Sequence, residues 1–317
     1  MLARFQQVLT LGAVGAALLW AALMVHNGRP GWALAGVVAV IAGPACILAL
    51  EFFLLWRVHG DDPTPRATPR QLLRAWWGEV RATPLVFCWR QPFRSQRWPD
   101  HLPTAAQGRR GVLLVHGYVC NRGIWNRWLQ RLTEMDVPVV AVNLEPVFGP
   151  IDDMVPGIEA AVRRLQAHTG VPPLVVAHSM GGLVLRHWWT AQVGDARVQH
   201  AITIGTPHRG TWLARLGRSA GARQMRQQSA WLDAMVKVEL PLRASRFTCF
   251  YSHCDNIVFP AVAATLAGAD NRHLDGVAHV HMVDRAEPWD ELVSRLKAAP
   301  TPDSLTPPPP PPMPGPK

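Results

Sequence analysis

The chain has 317 residues, 49% hydrophobic and 17% charged, too apolar for a disordered protein and less charged than the roughly 25% of an average soluble domain. Its net charge of +10 comes from 32 Lys and Arg against 22 Asp and Glu, but the basic residues are nearly all arginines spread without a dense block, which leaves little case for a nucleic-acid partner. Five cysteines (Cys46, Cys88, Cys120, Cys249, Cys254) fall at unrelated spacings with no CxxC pair, which argues against a disulfide framework and a structural metal.

The apolar surplus lies at the start. Residues 8–25 carry no charge, and after the polar loop at 26–31 residues 32–56 are interrupted only by Glu51. Each run is long enough for a helix to cross a bilayer core of ~30 Å, so residues 1–56 predict a transmembrane hairpin. Trp20, Trp32 and Trp56 lie towards the span ends, as interfacial anchors do. A cleaved signal peptide fits less well, because no small-x-small site follows Val25 and a second long run comes at once. Gly43-Pro44 reads as a tolerated kink and Glu51 as a carboxylate reaching the interface, neither needing a functional role.

Arg57, Arg66, Arg70 and Arg74 follow the second span, against Arg29 in the loop and Arg4 before the first. The positive-inside rule then puts both termini and the rest of the chain in the cytoplasm, in keeping with the cysteine usage. Residues 57–110 hold ten arginines against four acids, with Trp76, Trp77, Trp89 and Trp98 among them. This basic juxtamembrane linker reads equally as a collar on anionic headgroups or as a solvated linker packing its tryptophans on the next domain.

From Gly111 short β-branched runs alternate with helical periodicity, the pattern of a parallel sheet with crossover helices, giving an α/β domain over 111–298. Strands are expected at 112–115, 137–144, 174–177, 198–204 and 247–251, with helices at 124–132, 158–167 and 180–192. Residues 211–243 hold no strand pattern but are rich in Trp, Leu and Met; a helical insertion is expected there, forming a lid with an apolar acyl channel above the site. Residues 299–317, with six consecutive prolines, read as a disordered tail.

Ala177-His178-Ser179-Met180-Gly181-Gly182 stands where a buried strand turns straight into a helix. Such a turn lifts a serine hydroxyl above the sheet and needs small residues two before and two after it, as Ala177 and Gly181 are. The helix N-terminus also points N–H groups at an anion formed beside Ser179. On these residues the chain resembles the α/β-hydrolase family, and within it the bacterial lipases, although Ala177 replaces the first glycine of the usual G-x-S-x-G.

The resemblance continues at His116-Gly117-Tyr118, similar to the lipase oxyanion loop, and implies the backbone N–H groups of Tyr118 and Met180 as oxyanion donors, with the His116 side chain structural. Gly205-Thr206-Pro207-His208-Arg209-Gly210-Thr211 resembles a cleft-wall segment of the same lipases; His208 there precedes the acid in the chain and is read as structural. The family's order is serine, acid, histidine. Asp255 in Asp255-Asn256-Ile257-Val258 matches the acid loop, with Asp233, Asp270 and Asp275 as lesser rivals. His279 in Gly276-Val277-Ala278-His279 matches the base, with His281 as the rival that would face the same side of an extended segment.

The resemblance implies an α/β-hydrolase behind a membrane hairpin: a serine ester hydrolase of the lipase or carboxylesterase type, without metal or organic cofactor. It acts on a lipid or other hydrophobic ester at the membrane, which in a bacterium means the inner membrane with the catalytic domain cytoplasmic. An acyltransferase or thioesterase would use the same triad. A non-catalytic docking protein on the same fold is the alternative from another class, and two spans with no intramembrane charge pair make a poor transport pathway.

Overall fold

Short runs such as Val112-Leu113-Leu114-Val115 have no polar alternation, so they need cover on both faces. They form the middle of a parallel sheet in a computed structural model that describes residues 1–60, 62–192 and 197–298. The tail expected at 299–317 lies outside the described residues. The strands are β1 Val112–Val115, β2 Val139–Ala141, β3 Leu174–His178, β4 His200–Ile204, β5 Phe247–Tyr251 and β6 Asp270–His273. They lie in the order β2-β1-β3-β4-β5-β6, every neighbouring pair parallel.

The first two helices, α1 Leu2–His26 and α2 Pro30–Arg57, are long and apolar enough to cross a membrane. They fold back on each other across a three-residue turn, with the Trp20 indole donating to the Trp32 carbonyl at 2.8 Å. Pro44 stands inside α2, which continues through it. The stretch read as a linker is largely helical: α3 Pro69–Pro84, a π-helical turn Leu85–Arg90 and α4 Gln91–Arg94. Thr68 and Gln71 start α3 with a reciprocal capping box, and Pro69 is pre-set for the first turn.

These helices pack onto the sheet domain. Phe52 and Leu55 of α2 share a buried cluster with Ala75 of α3 and with Cys254, Phe259 and Ala278. From α1, Gln6 Nε2 donates to Gln91 Oε1 at 2.9 Å, and Gln7 to the Pro92 carbonyl at 2.6 Å.

The sheet is covered by α5 Asn126–Glu134, α6 Val155–Thr169, α7 Met180–Thr190 and α10 Ala286–Lys297. One buried cluster joins Leu113, Val175 and Ala201 to Val162 and Leu165 of α6 and Leu185 and Trp188 of α7. The other joins Val112, Leu114 and Val176 to Leu129 and Leu132 of α5 and Trp289 and Leu292 of α10. Two departures from the expectations stand out. β6, sequence Asp-Asn-Arg-His, carries no apolar residue because it is a largely exposed edge strand paired only with β5. The insertion holds short helices α8 Ala220–Gln224 and α9 Ala230–Val238, and Met225, just after α8, with Leu232 and Met235 of α9 is buried in the first cluster rather than lining the cavity at the serine.

Candidate active site

β3 ends at His178, and Ser179 turns the chain into α7 with φ 54° and ψ −131°. A positive φ is rare for a residue bearing a Cβ and is sustained only where its surroundings impose it. Gly181 allows the turn: a Cβ there would lie 2.5 Å from the His116 carbonyl oxygen and 2.8 Å from that of Val115, both backbone and unable to move aside. Gly117 brings the loop after β1 equally close, since its Cβ would stand 2.7 Å from that of Ser179. The serine, the first turn of α7 and the Gly117-Tyr118 segment therefore converge at the carboxyl ends of the central strands.

The loop after β5 supplies Asp255, which is fully buried. Its Oδ1 accepts the N–H groups of Ile257 and Val258 at 2.9 and 2.8 Å, and its Oδ2 lies 2.9 Å from Nδ1 of His279. Burial works against a charged imidazole, but the Asp255 carboxylate and its hydrogen bond, with Glu79 and Glu51 also facing the ring, hold the His279 pKa above the ordinary histidine value. Ser179 and His279 line one cavity of about 300 Å³.

The rival residues lie elsewhere. His281 begins a 3-10 turn rather than extending a strand, and its ring lies against Gly78 of α3. Asp270 pairs with Arg272 at 2.7 Å, Asp275 receives Gln71 at 2.6 Å, and Asp233 sits in the first turn of α9. His116 accepts the Leu144 N–H on Nε2 at 2.9 Å and so donates from Nδ1 to the Gly117 carbonyl at 2.8 Å. Burial pushes its pKa down to about 4, so it is a neutral brace for that loop. His208 is buried against Thr203 and Arg186, away from the cavity lining.

The cavity walls come mainly from outside the expected lid. Leu48 and Glu51 of α2, Glu79 and Thr83 of α3 and Phe87 of the π-helical turn line it together with Tyr118, Ile257 and Val280, and the insertion gives only Leu213. Glu51, read from the sequence as an interfacial carboxylate without a role, accepts the Asn256 side-chain N–H at 2.7 Å inside this wall. His178 also lines the cavity; its ring centroid is 4.6 Å from that of His279. Burial, with His279 beside it, holds His178 well below the ordinary histidine value. The sequence reading missed Glu79, Asn256 and His178. Asn256 and His178 adjoin motif residues and so carried a signal; Glu79 carried none.

No protein-family model matches the chain, and no curated protein matches its sequence. Among solved structures it is similar to a lipase of Bacillus licheniformis in its mature form, with 15% identity, a TM-score of 0.54 and coverage of 62% of this chain and 96% of that one. Against the propeptide form of the same lipase the values are 16%, 0.53, 63% and 52%. Lipase B of Aspergillus fumigatus is matched at 20% identity and a TM-score of 0.49 over 65% of this chain and 57% of that one. With its parallel six-stranded sheet, its strained strand-to-helix serine and its likeness to the Bacillus licheniformis lipase, the chain has the α/β-hydrolase fold behind two apolar N-terminal helices.

Proposed function

We propose that the chain is a membrane-anchored serine hydrolase that cleaves carboxylic esters of lipid-like acyl chains through an acyl-enzyme. The observation that carries this reading is the single cavity lined by Ser179 and His279, with Asp255 on the far nitrogen of the imidazole at 2.9 Å. Because Nδ1 is engaged by Asp255, Nε2 is the nitrogen left to take the Ser179 proton as Oγ attacks the ester carbonyl carbon. The tetrahedral oxyanion is received by the backbone N–H groups of Tyr118 and Met180, each such donor worth roughly 10²–10³ in rate. The alcohol leaves with the proton carried by His279. Water, deprotonated by the same imidazole, then splits the acyl-enzyme and restores the serine. Asp255 fixes the imidazole tautomer and stabilises the imidazolium, and no step calls on a metal or an organic cofactor.

The two apolar helices support anchoring in the bilayer, and the lining from α2 supports a cavity reached from the apolar phase in which a lipid ester resides. Arg81 over the exposed Trp77 and Arg94 over the exposed Trp89, at 5.2 and 5.1 Å, support the surface collar at anionic headgroups. The arginine distribution favours a cytoplasmic catalytic domain on a bacterial inner membrane. A fluorophosphonate probe tests the chemistry: it labels the wild type and not Ser179→Ala. No labelling of the wild type leaves a docking protein on this fold, and equal labelling of both takes the nucleophile away from Ser179.

A further inference from the structure

The loop that carries His279 is held by groups from the N-terminal helices. The His279 N–H donates to Asn256 Oδ1 at 3.2 Å, and the Asn256 side-chain N–H donates in turn to Glu51 Oε2 of α2 at 2.7 Å. The next two N–H groups, of Val280 and His281, both donate to Glu79 of α3, one to each carboxylate oxygen at 2.9 Å. Three consecutive N–H groups of this loop thus end on side chains, two of them directly on α3 and the third through Asn256 on α2. The carbonyl of His279 is taken as well, by Nε2 of His178 at 3.3 Å. Glu79 and Asn256 are almost fully buried, and a buried carboxylate on an apolar wall is retained at a desolvation cost that two N–H bonds only partly offset.

We propose that Glu79, seconded by Glu51 through Asn256, is a positioning residue for the catalytic base, so that the N-terminal helices complete the active site as well as anchor it. The inference rests on the serine-hydrolase reading. Two physical effects follow from the geometry. The bidentate clamp fixes the backbone on which the imidazole turns, and displacing a reacting group by about 1 Å can cost 10²-fold in rate. The carboxylate also adds negative charge to the field of Asp255, which favours the imidazolium that forms as the serine attacks. The titratable groups facing His279 are Asp255 from the β5 loop, Glu79 from α3, Glu51 from α2 and His178 from the end of β3. Those facing Glu79 are His279 and Asp255.

The test is the second-order rate of fluorophosphonate labelling against pH, on full-length protein in detergent, for wild type, Ser179→Ala, Glu79→Gln, Glu79→Asp and Glu51→Gln. Glu79→Gln keeps the size but loses the charge and one acceptor. Its plateau should fall about tenfold or more, and its acid limb should move to lower pH, because less negative charge holds the imidazole protonated. Glu79→Asp, which keeps the charge, should leave the limb near the wild-type position. Glu51→Gln should move it in the same direction as Glu79→Gln by less, since Glu51 is the weaker of the two charges acting on the ring. Glu79→Gln labelling at the wild-type rate with an unmoved limb overturns the proposal, and so does a lower plateau with an unmoved limb, which is the signature of structural support alone. In both cases an unreactive Ser179→Ala leaves the hydrolase reading standing, whereas labelling of Ser179→Ala like wild type overturns both.

Discussion

Ser179, Asp255 and His279 come from three segments at the carboxyl ends of the strands, and in the proposed mechanism their contributions act as a unit. Replacing any of them with alanine should lower ester hydrolysis by about three orders of magnitude or more without unfolding the domain. His281→Ala should be mild, because that ring turns towards Gly78 and not towards Asp255; a dead His281→Ala beside an active His279→Ala would reverse the assignment of the base. Glu79 makes a different prediction, about stability. Burial pushes its carboxyl up from 4.5 to about 7 against the pull of the two N–H bonds and of His279. A carboxyl with a raised folded-state pKa binds more protons folded than unfolded, so its ionisation costs nothing below the unfolded value and progressively more up to the folded one. Between pH 4.5 and 7 the unfolding free energy of Glu79→Gln should therefore gain on that of the wild type, by on the order of 3 kcal/mol in all. Parallel denaturation curves across that range, with no change in the gap, would show that the wild-type carboxyl ionises as freely folded as unfolded. A variant gaining stability at neutral pH while losing rate is what a site holding an unfavourable buried charge for its chemistry produces.

At the scale of elements, the cavity draws its apolar surface from Leu48 of α2, Phe87 of the π-helical turn and Leu213, Ile257 and Val280. Such walls favour longer acyl chains over acetate, since each CH₂ buried contributes about 0.8 kcal/mol, or roughly fourfold in kcat/KM where it is held in the transition state. Measured kcat/KM for p-nitrophenyl esters of two to twelve carbons should rise over the first several carbons, and Leu48→Trp should move the optimum to shorter chains. A profile falling steadily from acetate removes the lipid-like substrate and leaves a general esterase. Met235→Ala in α9 should instead cost about 2–5 kcal/mol of stability and leave the profile unchanged, because that side chain packs in the core. This division was only partly legible in the sequence. β1, β3, the serine turn and α7 are local patterns, readable because strand, turn and helix signals follow one another within a few residues. The walls are not local: Glu51 meets Asn256 across 205 positions and Glu79 meets Val280 across 201, and no periodicity reports a pairing of that separation. β6 escaped for the opposite reason, since an exposed edge strand has no apolar face to betray it.

For the whole molecule, the hairpin and the sheet domain fix each other's orientation. The start of α1 and the end of α2 both lie on the sheet domain: the Met1 amine is 3.5 Å from Glu145, and Phe52 and Leu55 pack beneath α3. The turn around Asn27 is therefore the far end. With 25 residues in α1 at 1.5 Å each, it lies about 37 Å away along the helix, more than a bilayer core of ~30 Å. If the hairpin crosses the membrane, Asn27 and the π-helical turn must be on opposite sides. Cys88, exposed on that turn, is a built-in reporter, and Asn27→Cys supplies the second. By the arginine distribution a membrane-impermeant maleimide should modify Asn27→Cys in right-side-out spheroplasts and spare Cys88, while external protease leaves the catalytic domain uncut. Inverted vesicles should give the reverse, with Cys88 modified and the domain cleaved. The opposite pattern would put catalysis on the outer face, and modification of both sites from one side would mean that the hairpin does not cross, leaving α1 and α2 as an apolar cap on the active site.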